Sequence, residues 1–534
     1  MQTEKRYGIG VDFGTDSVRT ALVSYQDGKV LKTTSKDYPR WKQHLYCDAR
    51  SAQFRQHPLD YQESLFATLE TLVEDMSQDE RNAIGSIGVG ATGSTVAPVD
   101  TSGLPLALKE SFSEDPGAMF HLWKDHTASK EAQRFNELCK ASEIDYTRYQ
   151  GTYSSEWFWA KIAYTGLRSK DVREASHTWL ELCDWVVHLL TGAQNIRYRS
   201  QCAAAHKALW NSHFSGLPSQ NFLQTFDPYA AQMARNYEVN PESCTKNNGY
   251  LNRDWAQKLN LPLDVVVAGS SLDAHAGAVG AGVKEHVLVS VLGTSAVHMT
   301  LLPYGKENAL SELTYYAGLA EDSIVPGYWG VESGQAAFGD VLSWFARCLA
   351  PFSDDPKTIL PRLDTLIADS TVGSRLTCLE WLNGRRYPNG SDTARGSLIG
   401  LDLSNDAQTI YGSLTNSILF GLKRIVDGMQ RSGLRVKTMR ATGGIARKSP
   451  VLMQRLSSIL NLPILALSEH ETCALGASMY GAVALGKFAS LQEAQEAMAA
   501  KEGVLYEPIA SEVELFDRLY ARYLELTAIQ ELSE

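Results

Sequence analysis

The 534-residue chain reads as an α/β protein built from two domains, and three observations predict that class. Strand-like runs alternate with amphipathic helical patterns along the chain. The length exceeds what one hydrophobic core ordinarily serves. A strand, a Gly-Thr turn and a second strand-like run occur once in each half, around Gly14-Thr15 and around Gly293-Thr294.

The first such run ends in Ile9, Val11 and Asp12, and residues 18–23 return as a second β-rich run, which predicts a hairpin. Asp12 offers a carboxylate at the strand end, Gly14 allows close backbone approach, and Thr15 and Ser17 add hydroxyls. Successive N–H groups in such a turn can form an anion-binding concavity, and a neighbouring Asp can hold the Mg²⁺ that accompanies a nucleotide. The same residues also serve an ordinary hairpin turn. Leu65, Leu69, Leu72, Val73 and Met76 recur at helical spacing and predict a helix over 60–76, followed by a strand over 84–89. Residues 178–190 are apolar at helical spacing and are followed by Gly192, a helix stop. Short β-rich runs at 265–268 and 287–292 flank the small-residue segment 269–282. A long helix is predicted over 409–431, then a strand over 436–441, the pair Gly443-Gly444, and a helix over 450–460. A last helix-like stretch covers 511–532. The expected boundary lies near residue 280, giving domains 1–283 and 284–534.

Composition narrows the function. A net charge of −11 argues against general affinity for nucleic acid or an anionic membrane, though a local site can still bind a nucleotide. Mean hydropathy is −0.22, and no run of about 20 apolar residues offers a membrane span. The N-terminus lacks a signal-type apolar block, so the expected location is cytoplasmic. The eight cysteines form no Cys-x-x-Cys pair and the twelve histidines no metal-ligand spacing, which leaves reduced structural thiols as the reading.

Gly88-Val-Gly-Ala-Thr-Gly93 matches the dinucleotide fingerprint as a string, but the following Ser94-Thr-Val-Ala-Pro98 does not start a helix, so a pocket-lining loop is the better reading. No phosphate-binding Gly-x-x-x-x-Gly-Lys-Ser/Thr loop and no Gly-x-Ser-x-Gly elbow occurs. Asp273 stands among small residues in Gly269-Ser-Ser-Leu-Asp-Ala-His-Ala-Gly277. There it could take a proton from a hydroxyl as general base, cap the helix that follows, or do both. Gly443-Gly444-Ile-Ala-Arg-Lys448 follows a strand and opens a helix, where two glycines would let a flat adenine lie on backbone, or simply make a turn. Lys207 and Glu332 are single polar residues among small or apolar ones, and Tyr153-Ser-Ser-Glu-Trp-Phe-Trp159 could wall a sugar or pack a core.

Taken together, these residues resemble the FGGY carbohydrate kinases, and among them the bacterial kinases of L-ribulose. The likeness runs through Tyr38-Pro-Arg-Trp41, Leu122-Trp-Lys-Asp-His-Thr-Ala128, Tyr153 to Lys161, Glu181-Leu-Cys-Asp-Trp185, Gly339-Asp340, Trp381-Leu-Asn-Gly-Arg-Arg386 and Gly443 to Lys448. The resemblance implies a two-domain actin-like, ribonuclease H-like ATPase fold with a cleft between the domains. It implies ATP and Mg²⁺ as cofactors and phosphorylation of L-ribulose at O5. Asp273 matches the family's catalytic base. Asp12, Gly14 and Thr15 match its first phosphate motif, with Asp12 on the metal; Gly293 and Thr294 match its second. Gly443, Gly444 and Lys448 match its adenosine motif. Gly93, Trp123, Asp125, Lys207 and Glu332 are assigned to the sugar, with Asp273. One departure is Gly90, where the ribulose kinases are expected to carry an acid. The alternatives are a kinase of D-ribulose, xylulose or ribitol, and a non-enzymatic actin-like nucleotide-driven protein. The implied partners are the ketopentose and ATP, with no nucleic acid or membrane, and a homodimer is the assembly entertained.

Overall fold

A computed structural model describes residues 4–306, 310–352, 355–368, 375–391 and 393–532. By spatial proximity the chain divides into two compact units. One comprises residues 1–282, 319–330 and 471–500, the other 283–318, 331–470 and 501–534. The break at 282/283 falls beside the expected one, but the two later segments that return to the first unit have no counterpart in that reading.

The first unit is built on a six-stranded sheet, in the order Asn247–Tyr250, Val266–Leu272, Ile84–Ala91, Tyr7–Phe13, Ser17–Ser24 and Val30–Asp37. The last three strands form an antiparallel meander. Tyr7–Phe13, Ile84–Ala91 and Val266–Leu272 run parallel. Alternate residues Ile9, Val11, Ile87 and Val89 enter a core with Leu65, Leu69, Leu72 and Trp185. The Pro58–Val73 helix supplies the leucines; it starts with Pro58 at its first position, and His57 caps it by accepting from Leu59 N at 3.1 Å.

The opposite sheet face is covered by the Thr472–Ala484 helix, at main-chain distance. A Cβ on Gly10 would lie 1.7 Å from the Ala474 carbonyl oxygen, and one on Gly88 1.8 Å from that of Ala477. Only glycine on the strands and small residues on the helix permit that approach, which is why a segment so late in the sequence joins the first unit. A satellite core of Phe135, Tyr153, Trp159, Phe222 and Phe226 lies under the Phe158–Arg168 helix. Tyr153, Phe158 and Trp159 are therefore packing residues, with Phe135 and Tyr153 stacked 4.2 Å apart, while Trp157 is only partly buried against this core.

The second unit contains five consecutive strands in the order Ala296–Pro303, Val287–Leu292, Thr438–Thr442, Ile464–Leu467 and Gly503–Tyr506. Their pairing is antiparallel, parallel, parallel and antiparallel. The first unit shows the same succession from Ser17–Ser24 to Asn247–Tyr250. The duplication extends to chemistry. Each hairpin turn carries Gly-Thr, and the middle parallel strand of each unit leads out through Ala-Thr-Gly, at Ala91-Thr92-Gly93 and at Ala441-Thr442-Gly443. No sequence repeat announces it.

Predicted helices appear as Ala407–Arg431, Pro450–Leu460 and Ala510–Leu532. The helix expected over 178–190 is half right. Thr178–Glu181 is a strand, because Val96–Val99 lies beside it and takes its ladder bonds, and the helix is Leu182–Thr191, ended by left-handed Gly192. Among the described residues no helix is long and apolar enough to cross a membrane.

Candidate active site

The first hairpin turn is pinned from four sides. Gly14 N–H donates to Ser17 O at 3.0 Å, and Tyr38 Oη donates to Gly14 O at 3.2 Å. Trp41 Nε1 donates to Asp16 Oδ1 at 2.7 Å, and Gln56 Nε2 to Thr15 O at 2.7 Å. Trp123 Nε1 donates to Thr15 Oγ1 at 3.0 Å. That bond occupies a lone pair of the hydroxyl and leaves its O–H able to donate onward, the polarity an anion needs. Asp12 is 9% exposed at the end of its strand. Burial raises its carboxyl pKa, opposed by Cys473 and by Arg19, whose guanidinium lies 3.8 Å away.

Asp273 opens the Asp273–Gly280 helix directly after the strand Val266–Leu272, and Ala274 N–H donates to its Oδ1 at 2.7 Å. The capping reading does not hold, since Leu272 occupies the N-cap position and no side chain caps this helix; Asp273 is the first helical residue, and its carboxylate is chemically distinctive. Burial, then the nearby Asp12 charge, push its pKa up to about 6, with His275 and Lys207 pulling the other way. Desolvation together with a like charge is what places a carboxyl in the range useful for proton transfer near neutrality. Lys207 ends the Gln201–Lys207 helix with its ammonium 5.4 Å from the Trp157 ring centroid; Tyr153 Oη donates to its carbonyl at 2.9 Å.

The loop residues separate into two kinds. Gly93 follows the strand Ile84–Ala91, with Thr92 N–H donating to Phe13 O at 2.9 Å, next to the Asp12 turn. Trp123 orients Thr15, as described. Asp125, expected at the sugar, is instead fully buried and spent. It pairs with Arg55 at 3.0 Å and accepts from Phe54 N, Thr127 N and Thr127 Oγ1. Its place is in holding the loop that presents Trp123. The departure at Gly90 has a packing counterpart. A Cβ there would lie 2.8 Å from Cys473 Sγ and 3.1 Å from Ala276 Cβ, so this position has no room for a carboxylate.

Sequence reasoning underread two groups. Lys161 is wholly buried; its Nζ donates to the carbonyls of Ser94, His121 and Leu122 at 2.5, 3.1 and 2.8 Å, tying the Gly93 loop to the Trp123 loop. Burial lowers its pKa to about 8. A lysine within an aromatic-rich helix was the available signal. The second group corrects the reading that the histidines make no constellation. Cys202 and His206, one helical turn apart, and His275, distant from both in sequence, bring their ligand atoms within 4.8 Å of one another in the buried interior.

In the second unit the Gly293-Thr294 turn is closed by Gly293 N–H donating to Ser295 O at 3.0 Å. Its carbonyls accept from the start of the Gly339–Leu349 helix: Phe338 N–H and Asp340 N–H reach Thr294 O at 2.7 and 3.1 Å, and Gly339 N–H reaches Gly293 O at 3.0 Å. This accounts for Gly339-Asp340 among the distinctive residues. Gly443 has φ +94°, and a Cβ there would lie 2.5 Å from Leu292 O, so this glycine is required by the fold. Gly444 is different: a Cβ there would meet no heavy atom within 4 Å. The protein itself has no need of glycine at 444. Lys448 is exposed at the end of the short Gly444–Lys448 helix. Glu332 lies on the strand Tyr328–Gln335 and bears electrostatically on Tyr387.

Residues 288–485 match the C-terminal domain model of the FGGY family of carbohydrate kinases. The chain is 35% identical to a ribulokinase of Vibrio parahaemolyticus, covering 98% of this chain and 96% of that protein. It is 33% identical to a ribulokinase of Shouchella clausii, over 98% and 95% respectively. A xylulose kinase structure from Rhodospirillum rubrum superposes with a TM-score of 0.81 at 21% identity, covering 98% of this chain and 99% of that one, a likeness of fold.

Proposed function

The chain belongs to the FGGY family of carbohydrate kinases, and with that as premise we propose that it phosphorylates L-ribulose at O5 with ATP, giving L-ribulose 5-phosphate for L-arabinose catabolism. The observation that carries the proposal is Asp273, a carboxyl raised to about 6 by burial and by Asp12, within electrostatic reach of Lys207. A base of that pKa is ionised at neutral pH yet basic enough to take a hydroxyl proton as the oxygen attacks phosphorus. Phosphoryl transfer otherwise asks for positioning and charge neutralisation. Thr15 Oγ1 and the Gly14 turn are assigned to phosphate in the first unit, and Gly293 and Thr294 in the second. Gly443, Gly444 and Lys448 are assigned to adenosine, and the room above Gly444 supports that reading. Gly93, Lys207 and Glu332 are assigned to the sugar, with Trp123 acting through Thr15. Domain by domain, the first holds Asp273, Gly93, Lys207 and the first phosphate motif, and the second holds Glu332 with the second phosphate and adenosine motifs.

The donor set suits Mg²⁺. Asp12 and Asp273 are both desolvated, Asp12 raises Asp273 further, and oxygen donors of this kind favour a hard divalent cation. When bound at Asp12, Mg²⁺ would supply neutralisation of phosphate charge. A cytoplasmic location and a homodimer belong to the same proposal, the latter tested by light scattering.

The deciding experiment measures ADP release from Mg-ATP with L-ribulose, D-ribulose, L-xylulose, D-xylulose, ribitol and glycerol. The highest kcat/KM is expected for L-ribulose. Preference for another sugar would move the specificity while keeping the Asp273 chemistry, and sugar-independent ADP release would remove the kinase reading.

A further inference from the structure

Two buried histidines sit beside the groups assigned to the reaction. His206 precedes Lys207, and His275 lies two residues after Asp273. They are 2% and 1% exposed, on the Gln201–Lys207 and Asp273–Gly280 helices. Their Nε2 atoms are 3.1 Å apart, and their rings are 4.7 Å apart between centroids. Gln150 orders the protons. Its Nε2 donates to Leu319 O at 2.7 Å, so its Oε1, 3.2 Å from His206 Nδ1, is an acceptor. His206 Nδ1 therefore carries the hydrogen, and in a neutral ring its Nε2 accepts. His275 Nε2 must then donate. One directed chain runs from His275 through His206 to Gln150.

We propose that this His206–His275 hydrogen bond is a positioning tie that fixes the helix start carrying Asp273 against the helix end carrying Lys207. The proposal rests on reading Asp273 as the base. Hydrogen bonds in a buried, low-dielectric setting are directional and costly to leave unmade, so one such bond locks the separation of two helices more sharply than apolar packing does. A displacement of about 1 Å at a reacting group costs on the order of a hundredfold in rate, so the tie acts on turnover through the placement of Asp273. Cys202, one helical turn before His206, shares the cluster. A divalent metal held there by the thiolate and both Nε2 atoms would need a lone pair on His275 Nε2, where the tie requires a hydrogen.

The test compares His275→Leu, which keeps bulk without a donor, with His275→Gln, whose amide N–H can stand in for Nε2–H. Both are made in the full chain and read as kcat and KM with L-ribulose and Mg-ATP. His275→Leu is expected to lower kcat by about ten- to a hundredfold with KM for ATP unchanged, and His275→Gln to recover all but about threefold of it. Equal turnover in wild type and His275→Leu, or an equal loss in both variants, overturns the tie. Failure of the base reading shows separately, as undiminished turnover in Asp273→Asn. Independently of activity, ¹⁵N-labelled wild-type protein is expected to show a slowly exchanging imidazole N–H that is absent from His275→Leu; its absence from wild type overturns the proposal. So does a cobalt–thiolate absorption band on adding Co²⁺ that is lost in Cys202→Ser.

Discussion

Replacing Asp273 with Asn keeps size and the capacity to accept from Ala274 N–H while removing a desolvated charge. The carboxyl sits at about 6 in the folded protein against an ordinary 3.8. A folded pKa raised above the unfolded one means the folded state binds more protons between those values, so stability falls as pH rises through that window. The destabilisation is fully present above about pH 6 and absent below about pH 3.8. Its size is the shift multiplied by 1.36 kcal/mol per unit, or about 3 kcal/mol at pH 7.5, shrinking to about 1 kcal/mol at pH 4.5. Asp273→Asn is therefore expected to abolish turnover, by about three orders of magnitude or more, and at the same time to raise the unfolding midpoint of the metal-free protein at neutral pH. The gain should fade toward pH 4.5. Scanning calorimetry of both proteins in EDTA at the two pH values, beside a coupled ADP assay, measures all three quantities. The reasoning is refuted if the variant turns over normally, or if its midpoint is lowered equally at both pH values. In the wild-type enzyme the same ionisation predicts that kcat/KM falls about tenfold per pH unit below pH 6.

Two further outcomes follow from the packing. Gly444→Ala should leave the fold untouched, since the added methyl meets no protein atom within 4 Å, yet raise KM for ATP by about tenfold if adenine lies on that backbone; unchanged KM with an unchanged midpoint would remove Gly444 from the nucleotide site. Lys161→Met removes the donor shared by three buried carbonyls and should cost roughly 3 kcal/mol or more in urea denaturation, with KM for the sugar rising as the Gly93 loop loosens. Wild-type stability in that variant would show the bonds to be dispensable.

Much of the site was legible locally because its chemistry is local. A Gly-Thr turn between two strands, a carboxylate at a strand end and a Gly-Gly pair before a helix are short-range patterns, set by backbone sterics and hydrogen bonding, and each recurs in the structure where its residues predict. The helix over 450–460 was equally readable, since Pro450 starts it and apolar spacing carries it through. Asp125 shows the opposite case. Its motif, Trp-Lys-Asp-His-Thr-Ala, is distinctive, but that the carboxylate meets Arg55 and is closed off from any ligand depends on a strand far away in sequence. Residues 178–181 have helical periodicity and become a strand because Val96–Val99 presents unpaired main-chain groups to them.

What the amino-acid sequence by itself determined is the alternation of strands and helices, the two Gly-Thr turns and the small-residue setting of Asp273. Tertiary structure decided the rest. Main-chain packing at Gly10 and Gly88 brings residues 471–500 into the first unit and sets Cys473 beside Asp12. Two helices far apart in sequence bring His206 to His275. Burial and proximity to Asp12 raise the Asp273 carboxyl. Periodicity and turn chemistry act over a few residues and survive in the linear chain, whereas desolvation, ion pairing and close main-chain approach depend on which distant segments fill the space.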